Sequence, residues 1–239
     1  MNDIVWLVSY PRSGNTWLRF LIANIQHPET DVNYRSIDEL VPDWHQKDHK
    51  WQPDESFDWS PVAIKSHWIY VPNYDKVIYL YRDPRDVVLS CYHFSQGDWD
   101  IRFEGTFDEY LRKVFILGGR YGRWDRHVYF WASGKSGIPF ILIKYEDLWQ
   151  HLYREVKRII DFLGIKVRSA TEVQAAIDKS DFNELEKIRA RDGVHPKKKG
   201  LRGRPGGWRE NLTEKQKDLI WEKFGKTMEK LGYSKGGIK

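Results

Sequence analysis

Ile4-Val-Trp-Leu-Val8 is an unbroken apolar run that passes into Ser9-Tyr-Pro-Arg-Ser-Gly-Asn-Thr-Trp17, after which Trp17, Leu18, Leu21, Ile22 and Ile25 recur at helical spacing. A short apolar run closed by Ser-Tyr-Pro reads as a buried strand, and His27-Pro28 stops the helix that follows. The opening is therefore a strand–loop–helix. Successive backbone N–H groups at the start of a helix form a concave site for an anion, and the helix dipole strengthens it. Gly14 permits close approach, Thr16 offers a hydroxyl and Arg12 a fixed positive charge. The same residues also suit an ordinary turn capped by Ser13 or Asn15, and position alone leaves both readings open. The pattern G-x-x-x-x-G-K-[ST] is not present, so this is not a Walker A loop.

Outward from this segment the pattern repeats. Val62–Lys65, Val77–Tyr81 and Pro139–Ile143 read as further strands. After the second of these, Asp83 suits an N-cap, Pro84 the first helical position and Asp86 the third, predicting a helix to about Phe94. Helical periodicity covers 107–132 with a break near Gly118-Gly119, an amphipathic helix covers about 150–163 and ends at Gly164, and a terminal helix covers 213–231. Residues 29–61 carry Pro42, Pro53 and Pro61 and read as irregular surface with one short helix. Alternating strands and helices predict an α/β fold, a single domain over 1–239 with a central parallel sheet flanked by helices. The length suits one such domain.

Composition narrows the class. The 39 basic residues face 34 acidic ones, giving a net charge of +5, compatible with an anionic ligand but not diagnostic of one. A single cysteine, Cys91, excludes an internal disulfide framework and suggests a reducing compartment. The N-terminal run is too short for a signal peptide or a membrane span, so a soluble, cytoplasmic protein is expected. Most of the twelve tryptophans are expected in the core. His45, His49 and His151 have no metal-ligand spacing, and no metal is expected.

A second candidate site is Tyr81-Arg-Asp-Pro-Arg-Asp-Val-Val-Leu-Ser90, where Arg82 ends a strand and Ser90 lies nearly two turns into the next helix. Both could face one phosphate at the same sheet edge, or Arg82 could lie on the surface and Ser90 in the core. At this point the chain resembles the cytosolic-type sulfotransferases. Pro11–Trp17 resembles their 5′-phosphosulfate loop, and Tyr81–Ser90 with Tyr92-His-Phe94 resembles their 3′-phosphate segment. Ala63-Ile-Lys-Ser-His67 resembles the strand end bearing their catalytic histidine, and Leu201–Asn211 resembles their C-terminal basic loop.

The resemblance implies 3′-phosphoadenosine-5′-phosphosulfate (PAPS) as donor, its desulfated product PAP, and a small-molecule acceptor. It implies that Ser13, Gly14, Asn15 and Thr16 hold the 5′-phosphosulfate with Trp17 beside the adenine. Arg82 and Ser90 then hold the 3′-phosphate with Arg202 and Gly203, and Tyr145, Ser180 and Phe182 lie near the base. His67 is implied as the general base, with Arg12 and Lys65 stabilising charge on the departing oxygen in place of a metal; without the flanking motifs, His67 would read as a partly buried histidine satisfied by a backbone carbonyl. Arg12 stands where the family has lysine, exchanging a point donor for a planar fork. Asn15 replaces a commoner threonine, and Leu201 a commoner basic residue. The family's dimerisation segment is not recognisable, so the resemblance gives no oligomeric state.

Residues 29–61 and 96–106 are the expected acceptor segments, and 195–211 a mobile loop over the nucleotide. The acceptor segments mix Trp44, Trp51, Trp59, Trp68, Trp99 and Phe103 with Asp43, Asp48, Asp54, Glu55, Asp58, Asp98, Asp100 and Glu104. So many carboxylates point to a polar or cationic acceptor, unless they are merely solvated. The rival readings are a P-loop-type small-molecule kinase and a nucleic-acid-binding module built on Lys197-Lys-Lys-Gly-Leu-Arg-Gly-Arg204. The basic residues of the latter sit in one loop without a nucleic-acid motif, so no nucleic-acid partner is expected, and no membrane partner either. A secretory carbohydrate sulfotransferase would be expected to carry an anchor and more cysteines.

Overall fold

All five residues of β1, Val5–Ser9, are buried, as a central strand of a parallel sheet must be when both faces are covered. The computed structural model describes residues 4–45, 63–70, 74–97, 102–167, 169–194 and 203–238. Four strands, β1, β2 (Ala63–Ser66), β3 (Lys76–Tyr81) and β4 (Phe140–Lys144), form one sheet in the order β2-β1-β3-β4. Every pairing is parallel, with Val8 opposite Ser66 and Ser9 opposite Leu80. The carboxyl ends of β2, β1 and β3 therefore finish level with one another, where open α/β sheets bind ligands.

Alternation of side chains divides the core between the two faces. Trp6, Val8 and Tyr79 pack with Trp124, Trp131, Phe224 and Met228 on one side. Leu7, Ile78 and Leu80 pack with Trp17, Leu21, Ile159 and Ile160 on the other. Trp6, Trp124 and Trp131 are almost wholly buried, in line with the expected core role of tryptophan. On the second face lie α1 (Asn15–Gln26), the short α2 (Ile37–Leu40), α7 (Leu152–Leu163), α8 (Ala170–Lys179) and α9 (Phe182–Arg191). On the first lie α3 (Pro84–Ser95), α4 (Phe107–Tyr110), α5 (Trp124–Ala132) and α11 (Glu214–Lys230). The shorter α6 (Tyr145–Gln150) and α10 (Trp208–Asn211) and a small hairpin, β5 (Tyr233–Ser234) with β6 (Gly237–Ile238), complete the described elements.

Local chemistry accounts for the boundaries. Asp83 caps α3 by accepting the Arg85 N–H, with Pro84 in the first turn. Thr106 with Glu109 and Thr213 with Gln216 form reciprocal capping boxes on α4 and α11. Gly164 ends α7 in the left-handed conformation, φ 71°. The helical period expected over 107–132 is interrupted earlier than Gly118, because Leu111–Phe115 is wound as a π turn. The expected 150–163 helix begins at Leu152, after the separate short α6. No described helix is long and apolar enough to cross a membrane.

The junctions that follow β3 and β4 are tied together by buried charge. Glu146, at the start of α6, accepts the Asp83 N–H at 3.0 Å and the Tyr233 hydroxyl at 2.8 Å. Burial, then the nearby Asp83 carboxylate, push its pKa from 4.5 to about 7. An acid whose pKa is raised by folding favours the folded state only while protonated. Stability from this group is therefore full below about pH 4.5 and is lost as pH rises through about 7. Glu146→Gln is expected to remove a pH-dependent loss of about 3 kcal/mol between pH 5 and 8. Urea denaturation of both proteins at the two pH values measures it, and parallel pH dependences would rule it out.

Candidate active site

The loop from Tyr10 to Gly14 joins β1 to α1 and contains two left-handed residues. Gly14 has φ 107°, and a Cβ there would lie 2.5 Å from the Tyr145 ring, so only glycine fits. Arg12 has φ 67° and is the one non-glycine residue at positive φ among those described. Such strain persists where the surroundings impose it, often at ligand sites. Here the side chain supplies the constraint: Arg12 Nε donates to Ser90 Oγ at 3.1 Å, and its guanidinium lies 4.6 Å over the Phe94 ring. Ser13 is fully buried, and its hydroxyl has no partner among the described residues. Thr16 is exposed in the first turn of α1. Asn15 turns inward instead, its amide donating to the Leu7 carbonyl at 3.1 Å and to Ser9 Oγ at 3.0 Å, so only its backbone N–H faces the helix end.

Arg82, at the end of β3, is 6% exposed and stacks 4.3 Å over Tyr145. Its Nη2 and the Tyr145 hydroxyl both donate to the Gly203 carbonyl, at 3.1 and 2.6 Å, while its Nε is buried without a partner. Burial, then Arg82 and Arg189, depress the Arg12 pKa, with Cys91 and Tyr145 opposing them. Arg12, Arg82 and Ser90 thus form a cationic corner with an unspent donor. Gly203, at φ 76°, fits between Tyr145 and Phe182, whose ring would be 3.0 Å from a Cβ. Arg202 and residues 195–201 lie outside the described residues, as do Trp51, Trp59, Trp99, Asp48, Asp54, Glu55, Asp58, Asp98 and Asp100.

Residues 203–211, expected to be part of a mobile loop, are fastened. The Asp86 carboxylate accepts the N–H groups of Gly206 (2.7 Å) and Trp208 (2.9 Å). Arg85, forked onto Asp83, stacks 3.6 Å over the Trp208 ring. In sequence Asp86 is visible only as an acidic residue in a first helical turn, and its hold on residues 120 and 122 positions away is not legible there.

Trp17 lies within a cage of Tyr145, Trp149 and Phe182, at centroid distances of 5.9, 6.1 and 4.7 Å. Its indole N–H donates to the Ser180 carbonyl. The Ser180 hydroxyl is fully buried, bonded to the Ala176 carbonyl and to the Asn24 amide. Ser180 therefore positions Trp17 and has no hydroxyl to offer a ligand directly.

His67 follows β2. Its Nδ1 lies 2.8 Å from the Ser9 carbonyl, which can only accept, so the proton sits on Nδ1 and Nε2 carries the lone pair. Burial, then the Lys65 charge, hold the His67 pKa well below 6.5, against the opposing Ser9 bond. The imidazole is therefore neutral at pH 7. Both backbone groups of His67 are also gripped: its N–H donates to His45 Nε2 at 2.7 Å, and its carbonyl accepts from His127 Nε2 at 3.0 Å. His127, its pKa lowered to about 4 mainly by burial, bonds through Nδ1 to the Tyr79 hydroxyl at 2.7 Å. Sequence reading did not single out His127, or His45 as a partner of His67.

Lys65 pairs with Asp43 at 2.5 Å, both side chains mostly buried. Asp43 was expected among carboxylates facing the acceptor, and its charge is instead balanced by Lys65. Trp44 packs edge-on against Trp6 in the core. Phe103 packs on Tyr110, 5.2 Å away. Of the expected aromatic wall, Trp68 packs against His45 and Tyr121, and Tyr121 in turn lies edge-on to His67.

The family model described as "Sulfotransferase domain" matches residues 2–232, and the chain belongs to that family. It is 32% identical to Sulfotransferase 2B1 of Homo sapiens over 179 residues, spanning 68% of this chain and 47% of that protein. It is 31% identical to Sulfotransferase 4A1 of Mus musculus over 181 residues, 70% of this chain and 61% of the other. With Sulfotransferase 2A1 of Homo sapiens the identity is 27%, over 96% of this chain and 86% of that one. Among solved structures, mouse sulfotransferase SULT7A1 complexed with PAP superposes with a TM-score of 0.68 at 25% identity, covering 95% of this chain and 84% of that one. Retinol dehydratase in complex with androsterone and PAP shares the fold, with a TM-score of 0.70 at 19% identity over 95% of this chain and 80% of that one.

Proposed function

We propose that this chain transfers the sulfuryl group of PAPS to a hydroxyl of a small acceptor, with His67 as general base. The observation that carries the reading is a pair of buried, unspent donors, Ser13 Oγ and Arg82 Nε, on loops leaving two neighbouring strands at one sheet edge. Ser13 belongs to the loop that leads into the N-terminus of α1 and Arg82 to the cationic corner, the two places that a ligand with two separated phosphate groups requires. Family membership and the PAP held by the mouse relative support the same ligand.

PAPS, when bound, supplies the sulfuryl group and a leaving phosphate. The chain's residues then have separate tasks. Ser13, Gly14 and the backbone N–H groups of Asn15 and Thr16 hold the 5′ end. Arg82, Ser90 and the loop through Arg202 and Gly203 hold the 3′-phosphate. Trp17, Tyr145 and Phe182 line the adenine, and Ser180 holds Trp17. His67 Nε2 takes the acceptor proton as the new bond forms, its Nδ1–H kept on Ser9. Arg12 brings charge to the phosphate loop. Lys65, neutralised by Asp43, contributes less net charge than a free lysine would. With Asp43 so occupied, a carboxylate-lined acceptor cleft loses one of its members. Trp68, Tyr121 and His45, packed edge-on or tilted against one another, form the aromatic side of the acceptor site instead.

Calorimetry with PAP, followed by transfer from radiolabelled PAPS to a panel of phenols, sugars and polar metabolites, tests the reading. PAP is expected to bind with a Kd on the order of micromolar. Absence of binding, or equal affinity for adenosine 5′-phosphate, would overturn the nucleotide assignment.

A further inference from the structure

His45 reaches the base from a different part of the chain. Arg19 holds the Val41 carbonyl at 2.8 Å through Nε, fixing the segment that leads to it. Residues 42–44 then lie alongside β2, with the Lys65 N–H on the Pro42 carbonyl and the Trp44 N–H on the Lys65 carbonyl. Asp43 turns the chain by accepting the His45 N–H at 3.0 Å through one carboxylate oxygen while Lys65 takes the other. The His45 ring arrives stacked on His67, centroids 5.4 Å apart and planes 18° from parallel, with Tyr121 edge-on at 5.4 Å.

The 2.7 Å contact with the His67 backbone has one possible polarity. A backbone N–H can only donate, so His45 Nε2 must be unprotonated and accept. Protonation there would set two N–H groups against each other and place a cation beside the His67 ring and Lys65. Resting on the reading of His67 as base, we propose that His45 is its positioning residue, and that it holds the His67 backbone only while neutral.

The described charged and titratable groups around His45 come from several elements. Asp43 and Lys65 neutralise each other, His67 and His127 are neutral, and Tyr121 is a phenol whose pKa burial raises. Arg120 lies beyond the Tyr121 ring, 5.6 Å from its centre. Protonation of His45 on acidification releases this grip, and that loss is what the pH profile of activity is asked to read.

Three proteins test this by the pH profile of kcat/KM. His45→Leu removes the acceptor and is expected to lower kcat about 10-fold with the KM for PAPS little changed. His45→Gln retains a non-titrating acceptor oxygen at the same reach. It is expected to recover most of that loss and to move the acid limb at least about 0.5 pH unit towards acid. An unmoved limb in His45→Gln, or wild-type kcat in a folded His45→Leu protein, overturns the proposal. Nitrogen-15 NMR of the intact, histidine-labelled wild-type chain decides independently of turnover. The Nδ1–H tautomer at His45 with a hydrogen-bonded Nε2 is expected, and an Nε2–H tautomer overturns it. A wild-type chain that transfers nothing would defeat the transfer reading while the NMR result still stood or fell alone.

Discussion

His67→Asn should lose about 10³-fold in kcat while binding PAP within about threefold of the wild-type affinity. Asparagine is the informative choice because its amide N–H can still donate to the Ser9 carbonyl, the bond that orients the imidazole. The fold of the strand end is thereby kept and only the Nε2 lone pair is lost. The wild-type imidazole needs no help to be neutral, since burial and Lys65 keep its pKa well below 6.5. Activity attributable to its ionisation is therefore present at neutral pH and lost only on acidification. Single-turnover kinetics with PAPS and any accepted substrate make the measurement. Near-normal turnover in His67→Asn would remove His67 from the chemistry and leave it as a structural histidine.

Arg82→Leu should weaken PAP binding about 10²- to 10³-fold, roughly 3–4 kcal/mol, because a buried fork and charge are lost together. Arg82 also grips the Gly203 carbonyl and stacks on Tyr145, so the raw loss mixes phosphate recognition with closure of the loop. Adenosine 5′-phosphate separates the two. The wild type should prefer PAP over adenosine 5′-phosphate strongly, whereas Arg82→Leu should bind the two almost alike. Persistence of the full preference in the variant would move the 3′-phosphate away from Arg82. Arg82→Lys should restore charge but not the fork, and with it only part of the preference.

How much of this could be seen in the chain order depends on how local the determining forces are. The strand–loop–helix at Val5–Gln26 was legible because burial of β1 and the helical spacing of α1 are both written in consecutive residues. The start of α3 was legible for the same reason, as Asp83, Pro84 and Arg85 settle it among themselves. Helices α8 and α9 were not, since each buries few residues: Val173 and Ala176 in one, Leu185 in the other. A narrow apolar stripe gives little periodic signal. Strands of two residues in the terminal hairpin give none.

Within the site, single residues were more legible than their relations. Arg12, Arg82 and His67 stand in recognisable local contexts. The left-handed backbone of Arg12, the fastening of Gly206 and Trp208 by Asp86, and the loss of Asp43 to Lys65 each depend on segments that meet only in the folded sheet. Asn15 illustrates the point at short range. Its position at a helix start suggested a ligand donor, yet the space beneath the loop turns its amide onto Leu7 and Ser9.

The threefold grip on His67 also sets an order on biosynthesis. Its partners are contributed by β1 through Ser9, by the loop bearing His45, and by α5 through His127, separated from it by 58, 22 and 60 positions. A nascent chain emerging from the ribosome can offer the first two as soon as β2 is made. The third is withheld until α5 has been synthesised and has docked on the sheet. A growing polypeptide stopped short of that point carries the histidine but not its complete mooring, which arrives only after the strands that bear it.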